Sequence, residues 1–377
     1  MKAGIKLILC TLFIFCICLC GCTKKDSKTT IEFASWGSKS EIDILKPLLS
    51  EFEKENPDIK IEFMHIPQNY FQKIHLLFAS NKAPDVIFIN NLYLPIYANA
   101  NLLEELKTDD IFYPQAIQAL SWKGKLYAIP RDVSNLVIYY NKDLFDKKQI
   151  KYPDKNWTFN NFLEISKKLT DKNTFGISFE EDPLFYLPYL MSNCGGILPE
   201  EINKKESQNA INFYADLRKK YHTAPLKSES ASATMAQMFL QEKLGMYLSG
   251  RWMVPKLREE AKFNWDIAQF PKGTCGSVVQ LDASGWSVAK SSKHKTEAIK
   301  LVNYLSSKQS IEKFAQSGLI VPARKDAANS KYFLDNKQPE NAKIFLDIIN
   351  TSKPTPVTID YREITDKLKK DMEARFN

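Results

Sequence analysis

Between Thr30 and Asn90 the chain changes its apolar period four times, and that alternation restricts the fold more than anything else in the sequence. Thr30-Ile31-Glu32-Phe33-Ala34-Ser35-Trp36 alternates like a strand and ends in Gly37. Glu41 to Glu55 repeats Ile44, Leu45, Leu48, Leu49 and Phe52 at helical spacing. Asn56-Pro57 stops that helix, because the residue before a proline is biased out of the helical region. Ile59 to Met64 is a second alternating strand, Tyr70 to Ser80 a second amphipathic helix. Asp85 to Asn90 is a third strand, mostly apolar and so expected to be buried on both faces. A β-α-β-α-β order predicts a largely parallel sheet covered by helices. Such sheets take ligands at the carboxyl ends of their strands, where Trp36, Asn90 and Asn91 fall.

Downstream, Trp122 to Pro130 reads as a hairpin around Gly124, Arg131 to Asn135 as a polar loop, and Leu136 to Asn141 as a β-rich run. From Trp157 onward helices dominate, starting at Thr158, a good N-cap ahead of Phe162, Ile165 and Leu169. Helices are expected over 201–221, 234–243, 296–307, 311–317 and 365–376, with strands at 244–248, 265–268 and 285–289. About 350 residues follow the amino-terminal segment, more than one core usually covers, so two domains are expected.

That amino-terminal segment carries Lys2 and Lys6 without an acid, then an apolar run from Leu7 to Leu19, then Leu19-Cys20-Gly21-Cys22. The pattern is that of a secretory signal, residues 1–21. Its thirteen residues, all apolar except Thr11, fall short of the roughly 20 that a spanning helix needs. Leu-x-Gly-Cys resembles the lipobox of bacterial lipoproteins, which implies a lipid on Cys22 and location on the outer face of the cell membrane. Cys20 departs from the small residue usual at its position. Residues 22–30 follow as a polar tether with too little apolar content to fold. Of seven cysteines only Cys194 and Cys275 lie beyond this region. They are either one bridge or two core residues.

The formal charge of +8 comes from lysine pairs set beside acids on helical patterns, which marks solvated helix faces rather than a nucleic-acid groove. Four histidines stand far apart with none at metal-ligand spacing, so neither metal nor cofactor is expected. Nucleophile-elbow and phosphate-loop motifs are absent. Paired acids, Glu180-Glu181-Asp182 among them, read as solvated turns or helix ends rather than a glycosidase pair.

Several segments, taken in order, are similar to one family: Phe52-Glu53-Lys54-Glu55-Asn56-Pro57, Ala83-Pro84-Asp85-Val86, Gly124 to Asp132, Tyr139 to Phe145, Trp157-Thr158-Phe159, Cys194-Gly195-Gly196, Lys243 to Trp252, Gly285-Trp286-Ser287-Val288 and Val321-Pro322-Ala323-Arg324. They resemble the extracellular solute-binding proteins of bacterial ABC importers, in the group that serves carbohydrates. The resemblance implies an α/β, two-lobed periplasmic-binding-protein-like fold (type II) with a ligand cleft between lobes. Residues 31–137 with 285–335 would form one lobe, and 138–284 with 336–377 the other. The chain would cross around Leu136 to Asn141 and return near Leu281 to Ser284. A monomer that meets membrane permease subunits and binds no nucleic acid is implied.

A sugar offers apolar C–H faces and a rim of hydroxyls, which flat aromatic rings and forked polar groups match. Trp36, Tyr70, Trp252 and Trp286 are candidate platforms, each beside a glycine, a strand end or a loop. Trp122, Trp157 and Trp265 read as structural. Asn90 and Asn91 face the expected cleft. Arg131 and Asp132 either bond ligand hydroxyls or form a salt bridge between lobes. Arg251 and Arg324 could hold a phosphate or carboxylate, which would turn the ligand toward a polyol phosphate. The leading expectation is a receptor for a sugar or oligosaccharide, with a lipid-anchored glycan hydrolase and a sensor subunit as rivals.

Overall fold

The computed structural model describes residues 28–230 and 232–377. The signal segment, Cys22 and the tether up to residue 27 lie outside the described residues. Three strands open the fold, β1 (Thr29–Ser35), β2 (Ile59–His65) and β3 (Val86–Asn90). β1 runs parallel to β2 in register from Thr29 opposite Ile59 to Ser35 opposite His65, and parallel to β3 on its other side. Helices α1 (Lys39–Glu55) and α2 (Tyr70–Ala79) connect them. Ser38 caps α1 in a reciprocal box with Glu41, whose carboxylate accepts from the Ser38 amide at 3.0 Å. α1 buries Ile42, Leu45, Leu48, Leu49 and Phe52 against the sheet. All four apolar residues of β3 are buried, as its unbroken pattern requires.

The sheet then changes character. Its order is β2-β1-β3-β8-β4-β6-β5, built with β4 (Ile129–Asn141), β5 (Phe175–Ile177), β6 (Leu244–Gly250), β7 (Trp265–Ala268) and β8 (Gln280–Val288). Two short strands, β9 (Val321–Pro322) and β10 (Lys353–Pro354), pair with β4 and β8. The first half of β4 pairs with β8 up to Asn135 opposite Leu281, and its second half pairs with β6 from Leu136 opposite Gly250. One strand thus passes from one half of the molecule into the other. β8 returns, and β10 passes beside its start.

The polar loop expected at Arg131 to Asn135 is instead the interior of β4, paired with β8 and β9. Arg131 reaches Glu41 and Asn135 reaches the Phe345 carbonyl, partners far away in sequence, so no local pattern marks this segment as a strand. The hairpin around Gly124 is present, from Ser121–Trp122 to Lys125–Leu126. β8 also starts five residues before the expected strand at 285–289, and the expected helix over 201–221 is broken into Pro199–Ile202 and a longer helix from Lys205. Gly285 sits where β8 shifts register against β4, and a Cβ there would come within 2.2 Å of the Ile129 carbonyl.

In the second half α3 (Phe159–Leu169) packs on β5 and β6, while α4 (Pro183–Ser192) packs on β8 and carries α5 (Lys205–Lys219); α6 (Lys295–Leu305) and α7 (Lys308–Gln316) return to the first half. The closing helix α8 (Tyr361–Phe376) lies on α4 and α5. Trp157 and Trp265 are buried. Cys194 and Cys275 form a disulfide with Cα atoms 5.4 Å apart, and both are exposed, which rules out the core reading. No helix among the described residues is long and apolar enough to cross a membrane.

Candidate functional site

Strand registers aim two sets of carboxyl ends at one junction. In the first half, Asn90 at the end of β3 lies opposite Ser284, close to where β8 enters. In the second, Gly250 at the end of β6 lies opposite Leu136, and Ala268 at the end of β7 opposite Ile138. The crossing strands form the floor, where Asp282 faces Ser134 and Ser284 faces Asp132 across the β8–β4 pair. Ser134, Asp282 and Ser284 are each half-buried, between neighbours that are buried.

Trp252 is the platform with an open face. It is 39% exposed, while the other five tryptophans are at least half-buried. Its ring lies over Gly250, where a Cβ would meet the indole Cζ3 at 1.9 Å. Glycine therefore lets the indole lie flat on the strand end and turn its other face outward. The neighbouring Arg251 fixes the backbone. Its guanidinium is buried, stacks on Phe333 and Phe345 at 4.4 and 5.2 Å, and donates from Nε to the Gly318 carbonyl at 3.0 Å. Burial draws its pKa down to about 10. Among the described residues both terminal nitrogens lack a hydrogen-bond partner, yet they are sealed from solvent. Arg251 is thus a junction anchor, not an anion receptor in the open cleft.

On the opposite wall Trp36 is half-buried, packed on Phe88, Tyr70 and Phe71 with centroids 4.3, 4.9 and 5.4 Å apart. Phe71 stacks on Tyr93 at 3.6 Å, so this wall is an aromatic cluster with exposed edges. Asn90 is half-buried and its Oδ1 accepts from the Tyr93 amide at 3.2 Å, while Nδ2 makes no hydrogen bond among the described residues. Past β5, Glu180 is half-buried and its carboxylate takes no protein hydrogen bond among the described residues. Burial, then Asp182, push its pKa up to about 7, against the pull of Arg218.

The remaining expected site residues are placed elsewhere. Tyr70 is buried, and its hydroxyl lies 3.0 and 2.8 Å from the Ala34 and Phe88 carbonyls, so it clamps β1 to β3. Trp286 is 1% exposed, in contact with Phe88 and Phe314, and belongs to the core. Asn91 is buried: its Nδ2 donates to Asp282 Oδ1 at 2.9 Å and its Oδ1 accepts from the Ala283 amide at 3.0 Å. Arg131 is buried between Phe88 and Phe314, paired with Asp132 and, at 3.2 Å, with Glu41. All members of that network belong to the first half, so the pair does not bridge the halves. Arg324 pairs with Asp326 at 2.8 Å, on a segment that leaves the junction as it follows β9 past Arg131.

Four floor and wall residues were not singled out from sequence: Ser134, Asp282, Ser284 and Glu180. Glu180 stands in the sequence as one member of the acidic triplet Glu180-Glu181-Asp182. For Asp282 the signal is one acid in the run from Val278 to Ala283, which is apolar apart from it and Gln280. No group of histidines, cysteines and acids that could hold a metal occurs among the described residues.

A family model described as bacterial extracellular solute-binding protein matches residues 48–341. A galactooligosaccharide-binding protein of Bacillus subtilis is 25% identical, over 94% of this chain and 89% of its own. A solved ABC substrate-binding protein from Listeria monocytogenes, in complex with cycloalternan, superposes with a TM-score of 0.83 at 26% identity, covering 93% of this chain and 94% of that one. The GacH receptor of Streptomyces glaucescens, solved unliganded and with acarbose, matches at a TM-score of 0.81 and 22% identity, over 93% of both chains.

Proposed function

The chain belongs to the bacterial extracellular solute-binding proteins, and from that premise we propose that it captures a neutral oligosaccharide between two lobes and delivers it to an ABC permease. One observation carries the choice of ligand: a 39% exposed tryptophan packed over Gly250, whose strand partner Leu136 is two residues from the half-buried Ser134–Asp282 pair. An indole face covers the C–H side of a pyranose, and Ser134, Ser284, Asn90 and Asp282 offer donors and acceptors to its rim. The carbohydrates named for the relatives support this class, and the buried Arg251 and distant Arg324 speak against a phosphate.

The lobes are residues 31–137 with 285–335 and 138–284 with 336–377, joined by β4, β8 and the passage through β10. Capture occurs between open lobes, which then close about these three segments and dock as the closed form. The site binds without reacting. Titration calorimetry against galacto-, malto- and cyclic oligosaccharides should give saturable heats without turnover. Steady release of shorter sugars would overturn the receptor reading, and absence of binding to every carbohydrate would overturn the ligand class. Diacyl lipid on Cys22 holds the protein at the outer membrane face, since two chains anchor stably where one is marginal. A Cys22→Ser protein should leave the membrane fraction for the medium; its retention there would sink the anchor.

A further inference from the structure

β8 carries a single acid, Asp282, at the point where the chain returns between the lobes. Its Oδ1 accepts two hydrogen bonds, from Asn91 Nδ2 at 2.9 Å and from Thr355 Oγ1 at 2.6 Å. Asn91 opens the loop after β3, and Thr355 follows β10. One oxygen atom therefore gathers three segments that meet at the junction. The other oxygen, Oδ2, takes no hydrogen bond among the described residues, and no lysine, arginine or histidine there pairs with the carboxylate. Burial of an acid without a counter-charge costs free energy unless its oxygens are bonded. Asp282 is half-buried and shares its face of the sheet with Ser134, its cross-strand neighbour.

Building on the oligosaccharide reading, we infer that Asp282 determines specificity: Oδ2 reads a ligand hydroxyl while Oδ1 keeps the crossing segments in register. A carboxylate only accepts hydrogen bonds, and a bond from a hydroxyl to a charged oxygen is stronger than one to a neutral acceptor. Asp282 therefore selects a solute that presents a hydroxyl at that point. It rejects the deoxy or O-methyl analogue and disfavours uronates and sugar phosphates through like-charge repulsion. Since Oδ1 belongs to the hinge, the ligand hydroxyl is read by the group that holds the moving parts together.

The test is a double-mutant cycle by calorimetry, with the tightest oligosaccharide of the panel and its monodeoxy analogues, on the wild-type chain, Asp282→Asn and Thr355→Val. One monodeoxy analogue should lose about tenfold or more on the wild type and nothing further on Asp282→Asn. The Thr355→Val protein should melt earlier yet keep the wild-type discrimination. Equal discrimination by wild type and Asp282→Asn overturns the inference and leaves the oligosaccharide reading standing. A wild type that binds no carbohydrate overturns that reading, and the inference with it. If Asp282→Asn does not fold, Asp282→Glu, which displaces the carboxylate by one methylene, takes its place in the cycle with the same criterion.

Discussion

Trp252 and Trp286 sit in similar sequence surroundings, each within two residues of a glycine, yet their burial separates them sharply. Trp286 is 1% exposed and closes the core between Phe88 and Phe314. Its replacement by alanine should cost about 3–5 kcal/mol of stability by leaving a cavity. Trp252 should behave the other way: Trp252→Ala would leave the urea midpoint nearly unchanged and weaken oligosaccharide binding by roughly tenfold to a hundredfold. Gly250→Ala should imitate that loss by lifting the indole off the strand. Urea melts and calorimetry on the three variants decide the matter, and a Trp252→Ala protein with full affinity would remove the ring from the site.

Glu180 makes a second prediction at this scale. Its folded pKa of about 7 lies above its ordinary 4.5, with burial as the main cause. The folded state therefore binds the proton more tightly than the unfolded chain. The resulting stability is fully present below pH 4.5 and is lost as pH rises through 7. Glu180→Gln should melt higher than the wild type at pH 8, with the gap closing as pH falls toward 4.5. A gap independent of pH would mean that Glu180 is solvated in the folded protein.

Among the elements, β1, β2 and α1 were legible because each buries one face in a local period, and β3 because its unbroken apolar run is buried on both faces. β4 was only half legible. Leu136 to Asn141 reads as a strand, but Arg131 to Asn135 does not, since Glu41, Phe88 and Phe314, which accommodate Arg131, are remote in sequence. The site suffered from the same cause. Trp252 and Asn90 are legible as candidates because strand ends are visible in sequence, whereas Asp282 acquires its meaning from Asn91 and Thr355. The disulfide belongs to this scale too. It ties the end of α4 to the loop before β8 across 81 residues. That loop is also held by hydrogen bonds from the Cys275 amide to the Ser192 carbonyl and between Ser192 Oγ and Val278. A Cys194→Ser, Cys275→Ser protein should lose about 2–4 kcal/mol of stability through the freed unfolded chain. It should bind ligand as before, because β8 keeps its own pairing. A large loss of affinity in that protein would show that the bridge shapes the floor.

The whole molecule is two helix-covered half-sheets that share continuous strands, and this limits how it can move. β4 pairs with β8 up to Asn135 and with β6 from Leu136, so its hydrogen bonds change partners between adjacent residues. Each half is otherwise packed through its own helices, α1, α6 and α7 on one side and α3, α4 and α5 on the other. Bending is thus confined to the handover at Asn135–Leu136, to the entry of β8 at Gln280–Leu281, and to the passage through Lys353–Thr355. A few element-end residues that absorb a rotation between rigid bodies are what hinge closure requires. A ligand that touches Trp252 from one side and Asn90 from the other gains both sets of contacts only when the halves approach. Its differential affinity for the closed form then drives the rotation. Small-angle scattering at saturating oligosaccharide should show a smaller radius of gyration than the free protein, with unchanged helix content by circular dichroism. Superimposable scattering curves with and without a tightly bound sugar would mean that the lobes do not move to hold it, and capture would then rest on the open cleft alone.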